Sequence, residues 1–249
     1  MDMKTLFRTL LAALALAPVL AFASGAKVQL DKAPLNLHDK PSMQRGAQIF
    51  VNHCLNCHSA SAMRYSRLED LGLTEAQILG NLVLAGDKVG DPMVSVLDPK
   101  DAKAFFGVVP PDLSLLARSR GPDWLYTYLR GFYRDPATKS GWNNTVFPNV
   151  GMPHVLWEYQ GEQAMQVTSR VDPISGDKIE SHRLVLAGPG KLKPVEYDQY
   201  VADLVNFMTY LSEPAQTNRK MWGIIVLFFL TGFFGITLLL KNEYWKDVR

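Results

Sequence analysis

Cysteine is almost absent from this chain. Its 249 residues contain two, Cys54 and Cys57. A disulfide framework is thereby excluded, and a bridge closing a two-residue loop gives little entropic stabilisation. A zinc site on these thiols would have to recruit scattered histidines, of which there are five. An excess of charge of one sign is missing too. Twenty-six basic and 24 acidic residues leave a formal net charge of +2, which gives no electrostatic ground for nucleic-acid binding. The chain also lacks an internal repeat, a phosphate-binding glycine loop and a Ser/His/Asp set ordered as a triad. Its length fits one medium domain or two small ones.

Apolar residues are present in ordinary amount but gather at the two ends. Residues 1–23 carry Lys4 and Arg8, then an apolar stretch from Leu10 to Phe22, then Ala21-Phe22-Ala23. That is the layout of a secretory signal peptide with an A-x-A cleavage site. Residues 219–241 hold the second block. Met221 to Leu240 is uncharged, with Arg219 and Lys220 before it and Lys241 after it. About 20 such residues span a bilayer core as a helix. Trp222 at one end, and Tyr244 and Trp245 at the other, suit the interfacial aromatic belts. The expected organisation is an exported domain over 24–218, a transmembrane anchor over 219–241 and a cytoplasmic tail over 242–249. Lys246 and Arg249 in that tail agree with the positive-inside rule.

The two cysteines fall within Cys54-Leu55-Asn56-Cys57-His58, the C-x-x-C-H pattern of c-type haem attachment. Two thiols about one helical turn apart can add to the two vinyl groups of one haem. The histidine that follows is then carried under the iron. A thioredoxin-like pair would need a βαβ setting, which the flanking sequence does not offer.

His58 leaves the sixth iron position open. A Met thioether there raises the reduction potential and suits electron transfer. Met152, in Gly151-Met152-Pro153, and Met93, in Asp91-Pro92-Met93, both sit in stiff, Pro-flanked segments. Residues alone leave both open, against the commoner fate of a Met as core filler. His154 is a further candidate, as ligand or as neighbour of one. Met63 lies too close to His58 to reach the opposite face, and Met165 and Met208 fall in strand and helix patterns. His53 abuts Cys54 and is expected to point away, while His38 and His182 are expected to face solvent. Arg118 and Arg120 are candidate donors to haem propionates.

Elsewhere the sequence pattern predicts a series of short elements. An extended arm covers 24–40. Ser42 caps a helix running into Cys54. Thr74 and Gln77 form a capping box for a helix through Leu84. Gly86 to Val109 is a long loop, and Asp112 or Ser114 caps a short helix. Pro122 opens a helix to Tyr133, and Asp135 to Gly151 is irregular but packed through Trp142 and Phe147. Met165 to Ala187 forms a β-hairpin around Pro173–Asp177. Val195 to Leu211 is an amphipathic helix stopped by Glu213-Pro214.

The C-x-x-C-H start, the Pro110-Pro111-Asp112-Leu113-Ser114 segment followed by an Arg, Gly151-Met152-Pro153 and the single C-terminal span together resemble the cytochrome c1 family. That family supplies the haem subunit of quinol–cytochrome c oxidoreductase, the cytochrome bc1 complex. The resemblance runs from about Leu35 to Lys246. It implies a mainly α, cytochrome-c-like haem domain with long loop insertions and a small β-hairpin, plus one C-terminal transmembrane helix. It implies one covalent haem c on Cys54 and Cys57, with His58 and Met152 as axial ligands and Arg118 near a propionate. It implies electrons arriving from a Rieske iron–sulfur protein and leaving to a soluble or membrane-anchored cytochrome c, with cytochrome b and lipid beside the span. The chain would have no substrate-transforming site of its own. With the leader, it implies a bacterial inner-membrane protein with its haem domain in the periplasm. Two other readings keep the haem: a free membrane-anchored cytochrome serving a terminal oxidase or reductase, and a sensor or peroxidase with an open sixth site.

Overall fold

The computed structural model describes residues 29–171 and 178–247. The expected leader and the Pro173–Asp177 turn lie outside the described residues. Asp31–Arg249 forms one compact unit.

The chain enters as a pinned arm held by Asp123, Thr127 and Asn206. Asp31 N–H donates to Thr127 Oγ1, Ala33 N–H to Asp123 Oδ1, and Asn36 N–H to Asn206 Oδ1. It then turns into α1 (Lys40–His53), where Asp39, not Ser42, is the cap: the Asp39 carboxylate accepts from Ser42 N–H at 3.0 Å. Pro41 in the first turn needs no N–H partner there, which favours the earlier start. Strand β1 (Ala60–Arg64) and a 3-10 helix (Tyr65–Leu71) follow. Helix α2 (Glu75–Asn81) has the expected capping box of Thr74 and Gln77 but stops short of Leu84, which is exposed.

The stretch expected as one long loop from Gly86 to Val109 holds two elements. Strand β2 (Pro92–Met93) pairs antiparallel with β1, Met93 opposite Ala60. Helix α3 (Pro99–Phe106) is capped by Asp98, which accepts from Lys100 N–H, and ends at Gly107 with φ +78°. Pro99 is the first residue of that helix. A proline there marks a start as readily as a break.

Helix α4 (Leu116–Arg120) has no side-chain cap, and α5 (Pro122–Arg130) ends three residues before Tyr133. Phe132 is therefore in β3 (Phe132–Arg134), paired with β4 (Trp142–Asn144). A short α6 (Trp157–Gln160) leads into the hairpin β5 (Gly161–Val171) and β6 (Lys178–Pro189), longer at its base than the sequence pattern suggested. Its register runs from Gly161 opposite Pro189 to Val171 opposite Lys178.

Helix α7 (Pro194–Ser212) is the spine. Every residue from Val201 to Ser212 is buried, so this half is enclosed on all faces and not amphipathic. It packs on α1, α4 and α5 in one apolar cluster. The tightest approach is to α1, at Gly46. A Cβ there would lie 2.7 Å from Phe207 Cβ and 2.8 Å from the Asp203 carbonyl carbon. Helix α8 (Gln216–Tyr244) contains the whole apolar run, none of it buried, and is long and apolar enough to cross a membrane. The protein is thus mainly helical, with small hairpins and one C-terminal apolar helix.

Candidate functional site

The C-terminus of α1 presents the two thiols. Cys54 is its C-cap, with N–H bonded to Phe50 O at 2.8 Å. Cys57 and His58 then turn back through N–H bonds to Cys54 O at 3.1 and 2.8 Å. Leu55, 2% exposed, plugs this turn into the core. Burial pushes the Cys54 thiol up to about 12 and raises Cys57 as well. A disulfide oxidoreductase needs the opposite, a thiol lowered to thiolate at neutral pH. Among the described residues no three His, Cys, Asp or Glu side chains gather as a metal site, so the zinc reading finds no ligand set there.

His58 is oriented by the Pro-Pro-Asp-Leu-Ser segment. Its Nδ1 lies 2.8 Å from the Pro111 carbonyl. A carbonyl only accepts, so Nδ1 carries the proton and Nε2 keeps a free lone pair for a metal. Burial lowers the His58 pKa, favouring that neutral form, and the Pro111 bond opposes it. The segment is held in turn. Leu113 N–H donates to Ser59 O at 2.7 Å, and Asp112 Oδ2 accepts from Ser61 N–H and Oγ at 2.9 and 2.7 Å. Ala62 N–H donates to Ser114 Oγ. Asp112 and Ser114 therefore splint this segment to 59–62 and cap no helix.

A cavity of about 540 Å³ opens at this point. Cys54, Cys57 and His58 line it from one segment, and Met152 and Pro153 line it from another. Most of the remaining wall is apolar, including Leu113, Trp124, Tyr128, Leu129, Leu204 and Met208. The volume falls in the ordinary range for cofactor sites. Two thiols, an imidazole with a free Nε2 and a thioether on an apolar wall suit a covalent haem with nitrogen and sulfur axial donors.

Two buried asparagines set the Met152 loop. Asn143 Oδ1 accepts from Asn144 and Asn149 N–H at 2.9 and 2.8 Å. Asn144 Oδ1 accepts from Val146 and Phe147 N–H, and its Nδ2 donates to Tyr128 O at 2.8 Å. Val150 and half-buried Met152 then pack with Phe132 and Trp142. The Tyr128 hydroxyl donates to Met152 Sδ at 3.4 Å.

The structure separates the sequence candidates. Met93 is fully buried in the β1–β2 pair and Met63 in the core, neither on the cavity. Met208 does reach the cavity wall, from α7. His154 is off the cavity lining. It is 2% exposed, stacked on Phe132 with centroids 4.7 Å apart and edge-on to Trp142. Burial lowers its pKa to about 4, with Gln160 pulling the other way. His53 lies on the cavity lining, edge-on to Tyr159, and does not point away as expected. His38 and His182 are exposed. Arg118 is also off the lining, its guanidinium 3.6 Å from Glu213. The arginine on the lining is Arg120, which lies over the Trp124 ring at 5.4 Å. Tyr128, Asn143 and Asn144 carried no motif signal. Only the aromatic density of their segments pointed there.

The Cytochrome C1 family model matches residues 31–179 and 191–248. The chain is 50% identical over 244 residues to the ammonia monooxygenase gamma subunit of Nitrosomonas europaea, covering 98% of this chain and 99% of that one. It is 46% identical over 237 residues to cytochrome c1 of Allochromatium vinosum, covering 95% and 96%. It is 27% identical over 274 residues to cytochrome c1 of Rhodospirillum rubrum, covering 92% and 95%.

Proposed function

This chain belongs to the cytochrome c1 family, a haem c electron carrier of the bc1 complex with one covalent haem, and we propose that it relays single electrons from the Rieske iron–sulfur protein to a c-type cytochrome. Cys54 and Cys57 would hold the haem, and His58 Nε2 and Met152 Sδ would donate to its iron. The haem supplies a reversible one-electron couple. The chain supplies the rest. Pro111 O fixes the imidazole tautomer, the apolar wall excludes water, and the Asn143–Asn144 loop brings the thioether in. Arg120, on the cavity lining, is the propionate partner in place of Arg118. Cytochrome b and lipid flank α8. In this reading the haem domain lies in the periplasm of a bacterial inner membrane and 242–249 in the cytoplasm; the leader expected from the sequence and the apolar α8 support it.

The observation that carries the reading is one cavity lined by both thiols, His58 and Met152. Met208 is the rival sulfur, so the test uses both methionines. Absorption spectra of oxidised and reduced protein, with redox titration, are compared for wild type, Met152→Leu and Met208→Leu. Loss of the weak far-red Met–iron band and a large fall in potential are expected for Met152→Leu alone. A band that survives Met152→Leu and disappears in Met208→Leu moves the ligand to α7. CO binding by reduced wild type would oppose a closed, six-coordinate carrier.

The name of the Nitrosomonas europaea relative offers a second assignment, a subunit of ammonia monooxygenase. Affinity purification of the full chain from membranes discriminates. Cytochrome b and Rieske protein are expected; monooxygenase subunits in their place would sink the bc1 reading.

A further inference from the structure

We propose that Tyr128 is a positioning residue that raises the reduction potential of this site through its hydrogen bond to the Met152 sulfur. The inference rests on Met152 being the sixth ligand and assigns what tunes it. The hydroxyl donates to Sδ at 3.4 Å, a normal length for the large, weak thioether acceptor.

The donor is held from three sides. The Tyr128 ring stacks on Trp124 with centroids 4.8 Å apart and planes 11° from parallel, and meets Phe132 edge-on at 5.1 Å. Its carbonyl is bound by Asn144 Nδ2 at 2.8 Å, the same asparagine whose Oδ1 shapes the loop leading to Met152. Donor and acceptor are thus registered to each other by contacts independent of the O–H···S bond.

Stability alone gives little reason for that hydroxyl. Phenylalanine would fill the same apolar slot without carrying a polar group into it, and a thioether offsets the lost hydration of a phenol only weakly. The consequence falls on the sulfur. One lone pair accepts the Tyr128 proton, which leaves the other for a metal at the cavity that Met152 lines. The bond withdraws density that the sulfur would otherwise donate to a metal. Ferric iron depends on that donation more than ferrous iron, so the hydrogen bond favours the reduced state.

The test compares full-length, haem-loaded wild type with Tyr128→Phe, and with Tyr126→Phe as control. Tyr126 is two residues away on α5, its ring under Arg130. Tyr128→Phe is expected to change the ferric-to-ferrous ratio at fixed ambient potential by about two- to tenfold, a net single hydrogen bond. That is a fall of roughly 20 to 60 mV for one electron. The far-red band of the oxidised protein should also resist displacement by cyanide to higher concentration, because the sulfur donates more strongly. Tyr126→Phe should change neither readout. An unchanged or higher potential in Tyr128→Phe, with only the melting temperature moved, reduces Tyr128 to a packing residue and overturns the proposal. Should Tyr128→Phe fail to accumulate, the iron–sulfur stretching frequency of wild type in H2O and D2O decides. An isotope shift supports the bond, and no shift overturns it. Failure of the Met152 ligand reading is seen separately, as survival of the far-red band in Met152→Leu.

Discussion

Gly46→Ala sets two opposing effects against each other at the α1–α7 crossing. Alanine is the better helix residue by about 1 kcal/mol, so propensity alone predicts stabilisation. Sterics predict the reverse. The new Cβ would lie 2.7 Å from Phe207 Cβ and 2.8 Å from the Asp203 carbonyl carbon, and it would overlap the Asp203 carbonyl oxygen. Two of those three obstacles are backbone of a buried helix, which cannot rotate away. Overpacking of this kind costs about 1 to 3 kcal/mol, here at the upper end. The net loss is about 2 kcal/mol, or roughly 4 to 8 °C in melting temperature for a chain of this size. Gly80→Ala is the control. Gly80 lies in α2 with nothing within 4 Å of its would-be Cβ, so propensity acts alone and up to about 1 kcal/mol is gained. Thermal unfolding of the detergent-solubilised full chain, followed by far-UV circular dichroism, should move the two variants in opposite directions. If Gly46→Ala melts at or above wild type, the helices are not in close contact at this point and the reasoning fails.

Two further outcomes follow from the polar contacts around the site. Asp203→Ala removes the carboxylate that accepts from Ser42 Oγ and Arg45 Nε at 2.6 Å and from Gln199 Nε2 at 3.1 Å. The buried Ser42 is left half-satisfied, but Arg45 is about half exposed and can turn to water, so the loss should be about 3 kcal/mol, the low end for breaking a buried pair. An unchanged urea midpoint would refute this. Asp112→Ala frees Ser61 and Ser114 from the splint behind Pro111. Asp112 is exposed, so only about 1 kcal/mol of stability should go, yet the His58 ring loses its register. A smaller fraction of chains with covalent haem on a haem-stained gel, or a shifted potential, is expected; wild-type values for both would mean that Pro111 is held without Asp112.

What the sequence made legible was whatever carries its own local signature. The haem-attachment pattern at a helix end, the Thr74–Gln77 capping box, the uncharged run of α8 and the alternation of β5 and β6 all appear where their residues said. What was not legible depended on choosing between near-equals. Pro99 signals a loop and a helix start with the same chemistry, and Asp98 before it decides for the helix. Ser42 and Asp39 are both good caps, and tertiary pairing takes Ser42 into the core with Asp203. Arg118 and Arg120 are two residues apart on a five-residue helix, so no periodicity says which one meets the cavity. Tyr128 and Met152 meet across 24 positions of chain. Nothing local to either residue records that meeting.

The partners of the two proposed axial donors pull in one direction. A histidine whose Nδ1–H is bound by a carboxylate gains basicity and donates more strongly to a metal. Here the acceptor is the neutral Pro111 carbonyl. The neighbouring carboxylate, Asp112, is engaged by Ser61 and Ser114 and not by the ring. That arrangement keeps imidazole donation modest. On the other side, the sulfur is already the weaker kind of donor and gives part of its density to the Tyr128 hydroxyl. An apolar wall adds its own preference, because ferric haem carries one more positive charge than ferrous haem and a dry surrounding disfavours it. With the proposed ligands, each of these favours the reduced state and so acts to raise the potential. The relay proposed above, in which the haem takes an electron and passes it to another c-type haem, calls for a shift in that direction.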